Sequence, residues 1–142
     1  MIMKKIHRVI ALILLFAMLC SIYALAAETR SSAYLFAYSG ALSKASAGKI
    51  FIEFDVTGMG TMTAIGASTI KVYKSNGTLM KTYNYTDSGC SNMMGYNTGM
   101  HASYLTYTGT TGQSYYCIIT FYARNASGYD SKTYATSTFT LT

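Results

Sequence analysis

Few side chains in this sequence can do acid–base or covalent chemistry, and they lie far apart. A hydrolase needs a nucleophile, a base and a group that orients the base, yet beyond residue 26 the one imidazole is His101. It stands at the start of an expected strand with no partner motif, so we read it as structural. The acids Glu28, Glu53, Asp55, Asp87 and Asp130 are isolated, except that Glu53 and Asp55 share a strand face. Such a pair could serve glycoside hydrolysis, but acids on a wet strand face ordinarily keep it soluble. Structural zinc wants four Cys or His ligands in paired spacing, and Gly58-Met59-Gly60 lacks the lysine and helix of a phosphate loop. The expectation is a chain with no catalytic site, no metal and no cofactor.

Two residue types remain. Of three cysteines, Cys20 falls in an apolar leader, which leaves Cys90 and Cys117 as an even pair and an expected disulfide in an exported chain. Closing that loop of about 27 residues is worth on the order of 3 kcal/mol in the chain-entropy model. Tyrosine is abundant, at 14 residues, more than a small core can hide with every hydroxyl satisfied. Surface tyrosines suit the binding of sugars, peptides or proteins, although Tyr and Thr are also good strand formers on wet faces. Tyr83 and Tyr85 are expected on one face of a return strand, and Tyr96 and Tyr129 in loops. These four are the candidate binding residues.

These side chains must be positioned by 142 residues that are 51% hydrophobic and 11% charged. Such a composition excludes a charge-driven disordered chain and a charged helical rod. Lys4, Lys5 and Arg8 precede an apolar run from Val9 to Cys20, and Ala24-Leu25-Ala26 offers small residues for cleavage, the three parts of a secretory signal. We expect a signal peptide over 1–26 and a single domain over 27–142, secreted or at the cell surface. Membrane contact is expected only through the leader, should it be retained as an anchor. Its removal lowers the net charge from +6 to +3, and the remaining basic residues are scattered, so nucleic acid is not an expected partner.

Two-residue alternation dominates the rest. Ile50, Ile52, Phe54 and Val56 point one way from Lys49 to Thr57, and Gly58-Met59-Gly60 is expected to end that strand. A second strand runs from about Ala67 to Lys74, turns at Ser75-Asn76-Gly77-Thr78 and returns through Leu79 to Tyr85. Asn-Gly is a strong hairpin signal because both residues tolerate positive φ. Residues from Thr86 to Met100 read as a long loop. Strands resume over His101 to Thr108, Ser114 to Ala123 and Lys132 to Leu141. With Tyr34, Phe36 and Tyr38 alternating in Ala33 to Leu42, the count reaches about seven. No crossover helices are available for a parallel sheet, so the expected fold is an all-β antiparallel sandwich.

The segment from Gly112 to Asn125, with Tyr115 following a turn glycine and apolar residues alternating to Ala123, resembles the penultimate strand of fibronectin type III and related immunoglobulin-like domains. That resemblance implies that Tyr115 is buried with its hydroxyl bonded to the preceding connection, a tyrosine corner. The lack of Trp and Pro departs from the family. Gly58-Met59-Gly60-Thr61-Met62, Ile65-Gly66-Ala67-Ser68, Gly95-Tyr96-Asn97 and Ser114-Tyr115-Tyr116 make the chain similar to a family of small exported proteins of Gram-positive bacteria, classed as a domain of unknown function. This implies secretion and a sandwich but no activity. Gly95 to Leu105, with Tyr96 and His101, also resembles the Tyr-then-His stretch of lactococcin 972-like bacteriocins. The functional expectation is a binding module for an extracellular glycan or protein, with a small antimicrobial protein as the alternative.

Overall fold

The structure, a computed structural model, describes residues 32–142. The expected signal peptide and its cut after Ala26 lie outside the described residues. Seven strands form one antiparallel sheet: β1 (Leu35–Ser46), β2 (Lys49–Lys74), β3 (Leu79–Asn84), β4 (Met94–Thr108), β5 (Ser114–Asn125), β6 (Gly128–Ala135) and β7 (Phe139–Thr140). A single 3-10 turn, Ser91–Met93, leads into β4.

β2 serves twice. Its first half, Lys49 to Thr57, lies between β1 and β4, whereas Thr69 to Tyr73 lies between β3 and β5, with β6 and β7 continuing beyond β5. The sheet therefore folds over along β2, and its two halves close on one core in an all-β antiparallel sandwich. Ile50, Ile52, Phe54 and Val56 share a buried cluster with Ile70 and Val72 and with Tyr115, Cys117, Ile119, Phe121 and Ala123 of β5. The alternation read from the sequence thus selects the core face of both strands. Each large apolar side chain so buried stabilises the fold by roughly 1.5–3 kcal/mol relative to exposure.

Three expectations need correction. The glycine-rich stretch after Thr57 does not end the strand but bulges it: register against β4 shifts between Thr57 and Met62, with Gly60 at φ +147°. A second shift against β5 falls between Ala67 and Thr69. Buried residues of β2 are even-numbered through Val56 and Met62, odd at Ile65 and Ala67, and even again at Ile70 and Val72, the last change falling at the bulge between Ala67 and Thr69. Similarly, a bulge at Leu35/Ala37 turns Leu35 inward and leaves Phe36 72% exposed, so Tyr34, Phe36 and Tyr38 do not share one face. The expected loop from Thr86 to Met100 is short, because β4 already starts at Met94. Its pattern is hidden by glycines and by Asn97, whose φ of 53° breaks the alternation. The Asn76-Gly77 hairpin is present, but only Gly77 takes positive φ; Asn76 instead accepts the Thr78 N–H with its side-chain oxygen at 3.0 Å.

Candidate functional site

Several candidates serve the fold. Tyr115 is 1% exposed, and its hydroxyl accepts the Thr110 N–H at 2.9 Å, the tyrosine corner that the β5 motif implied. His101 packs against Phe54, with ring centroids 6.2 Å apart, and its Nε2 lies 2.7 Å from the Asn92 carbonyl oxygen. A carbonyl can only accept, so Nε2 carries a proton and donates. A side chain at Gly95 would meet the His101 ring at 2.7 Å. The Gly95 to His101 spacing thus has a packing cause.

The expected Cys90–Cys117 bridge is not formed in the structure, where both are separate buried thiols. Cys117 lies on the core face of β5, and Cys90 precedes the 3-10 turn; each fills the core as a small apolar side chain. Burial pushes the Cys117 thiol up to about 12, and burial foremost raises Cys90, with Asp87 adding to it. Tyr83 belongs to this interior group. It pairs with Ile70, packs against the core and donates its hydroxyl to the Thr106 carbonyl at 3.4 Å. Its hydroxyl is raised first by burial, then by Cys90, Tyr107 and Cys117. Tyr83 and Tyr85 therefore do not share a strand face: β3 stops at Asn84, and Tyr85 opens the following turn.

The other three candidate tyrosines converge. Reading across the sheet, Tyr96 of β4 pairs with Ala64 of β2, Ala64 with Arg124 of β5, and Arg124 with Tyr129 of β6. This four-strand row is Tyr96–Ala64–Arg124–Tyr129. Adjacent strands are about 4.8 Å apart, so Tyr96 and Arg124 stand roughly 10 Å apart over the methyl group of Ala64. Tyr85, Met94 and Tyr122 join Ala64, Tyr96 and Arg124 around a hollow of about 130 Å³. Tyr129 packs on Tyr122 at 5.8 Å between centroids. Tyr96 and Tyr129 are 61% and 65% exposed, which leaves much of each side chain within reach of a ligand. Arg124 and Tyr122 were not singled out from the sequence. Their signal was present in the β5 alternation, which puts both on the face opposite Phe121 and Ala123, but register to β2 and β6 was needed to set them beside the tyrosines.

The outer face of the other half of the sheet differs. Asp55 lies between Ser39 and Ala102, and Glu53 between Ala41 and Tyr104. Together with Gly40, Phe54 and Ser103 they line an open groove of about 410 Å³. Ser39 donates its hydroxyl to Asp55, and Ser43 donates to Glu53 at 2.8 Å. Among the described residues no three His, Cys, Asp or Glu side chains gather as a metal site requires. No protein-family model, no curated protein and no solved structure matches this chain.

Proposed function

We propose that the chain is a secreted, non-catalytic binding module that recognises a glycan or a protein outside the cell or at its surface. The observation that carries this reading is the convergence of Tyr96, Arg124 and Tyr129 on one cross-strand row, with Tyr85 and Tyr122 beside it. Tyrosine gives broad contact area and a polar tip at small conformational cost, and these rings stand on strands that hold them in fixed register. The leader over residues 1–26 supports export, and membrane contact belongs to that leader alone. Neither a cofactor nor nucleic acid enters the proposal. Export would bring Cys90 and Cys117 into an oxidising medium, and a bridge between these two members of one buried cluster is part of the reading; the non-reducing mass of the secreted protein checks it.

The direct test is a screen of the purified protein on a glycan array and in pull-downs from extracellular material. A reproducible ligand is expected, lost in Tyr96→Ala and in Tyr129→Ala while the melting temperature holds. No ligand, or a ligand indifferent to both substitutions, contradicts the reading. Clearing of bacterial lawns by the protein would replace it with the antimicrobial alternative.

A further inference from the structure

We propose that the tyrosine hollow takes an acidic glycan, a sugar ring carrying a carboxylate or sulfate, with Arg124 as its anchor. This rests on the recognition reading and adds the ligand's chemistry. The backbone at the centre of the hollow is engaged: Ala64 pairs on both sides, with Tyr96 and Arg124, and Tyr122 pairs with Gly66 and Ser131. No strand can be added at that centre, where recognition falls to side chains; β4 under Tyr96 and β6 under Tyr129 are each paired on one side. The side chains on offer are exposed aromatic rings, which stack against the C–H faces of a sugar ring, phenol hydroxyls, which bond to sugar hydroxyls, and one exposed guanidinium.

The guanidinium sets the charge of the ligand. Its planar fork matches an oxyanion in two parallel hydrogen bonds. The four described carboxylates have partners elsewhere: Asp55 with Ser39, Glu53 with Ser43, Asp87 with the backbone of Asn84, and Asp130 with Ser32 and Tyr34. The hollow has the room of about four waters at roughly 30 Å³ each, enough for an acid group and one edge of a ring. The rest of the ring lies on Tyr96 or Tyr129.

Binding of the purified protein to a galacturonate oligomer, a sulfated heparin fragment, the carboxyl-reduced form of the first, and polyglutamate tests this. At least one acidic sugar binds, and the carboxyl-reduced form binds about tenfold or more weakly than its acid parent if that parent is the ligand. Arg124→Gln weakens binding by about tenfold or more, Arg124→Lys restores part of it, and Lys71→Gln, elsewhere on the same face, changes it by less than about twofold. Unchanged melting temperatures confirm that the variants fold. Neutral sugar binding that Tyr96→Ala abolishes and Arg124→Gln spares overturns the acidic ligand while leaving the recognition reading standing. Preference for polyglutamate over both acidic sugars overturns it in favour of a protein partner. Binding of none of these probes, with a ligand found on the array, overturns it as well; no ligand by any route overturns both.

Discussion

The two outer faces of the folded sheet contrast in how their charges are answered. On the half built from β1, β4 and the start of β2, the larger groove holds Glu53 and Asp55, and serines one strand away bond to both. Where the start of β4, the middle of β2, β5 and β6 run side by side, the smaller hollow sets one guanidinium among exposed tyrosines. Groove size therefore does not single out the proposed recognition face. What distinguishes it is chemistry that the molecule leaves open: aromatic rings with free area and a fork without one of the described carboxylates bonded to it.

Both faces stand on one core, so a change at their junction has the largest effect. A side chain at Gly66 would meet the Met93 carbonyl oxygen at 2.1 Å and the Met94 Cα at 2.8 Å, backbone that cannot step aside. Gly66→Ala is expected to destabilise the domain by about 3 kcal/mol or more, read as a collapse in melting temperature and in soluble yield. A near wild-type melt would show that β4 is not held against β2 as described. Next comes the tyrosine corner. Tyr115→Phe keeps the packing and strands the Thr110 N–H, for an expected loss of about 1–2 kcal/mol in urea unfolding and equal damage to both faces.

An effect on the acid side of the pH range follows beside the tyrosine row. The Ser32 hydroxyl foremost, then the backbone N–H groups of Tyr34 and Ala33, hold the Asp130 carboxyl below its usual range. Its folded pKa is depressed, so the stability it contributes is full above the unfolded value of about 3.9 and is lost as pH falls through the lower folded value. Asp130→Asn should flatten this acid limb of the stability curve. An unaltered limb would mean that the Ser32–Asp130 contact does not tie the start of the described chain to β6. The smallest effect is expected at the acidic groove: the Glu53→Gln, Asp55→Asn double variant should shift stability by less than about 1 kcal/mol, because both carboxylates are exposed. It should leave ligand binding unchanged, and a lost ligand would move the recognition face to this groove.

Much of the fold was legible because its core strands keep strict alternation. Lys49 to Val56 and Ser114 to Ala123 bury the residues that their period predicts, and Tyr115 sits as its motif implied. What was not legible came from bulges. The shift near Gly60 carries β2 on where a glycine break was expected, the shift near Ser68 changes which of its residues face the core, and glycines with Asn97 disguise nearly half of β4 as loop. Of the site, Tyr85, Tyr96 and Tyr129 were within reach of composition and turn signals. Arg124 and Tyr122 were not, because a cross-strand row exists only once the register of four strands is fixed. Tyr83 stands on the return strand as read, but Tyr85 does not, because β3 stops at Asn84.

A ligand seated on the tyrosine row would shift the signals of the residues around it and spare the acidic groove. Backbone amide shifts of the labelled protein, followed by NMR during titration with an acidic oligosaccharide, test this most directly. The predicted result is saturable movement at Tyr85, Tyr96, Tyr122, Arg124 and Tyr129, with Glu53, Asp55 and Tyr104 still; saturable movement at Glu53, Asp55 and Tyr104 with the tyrosine row unmoved would contradict it.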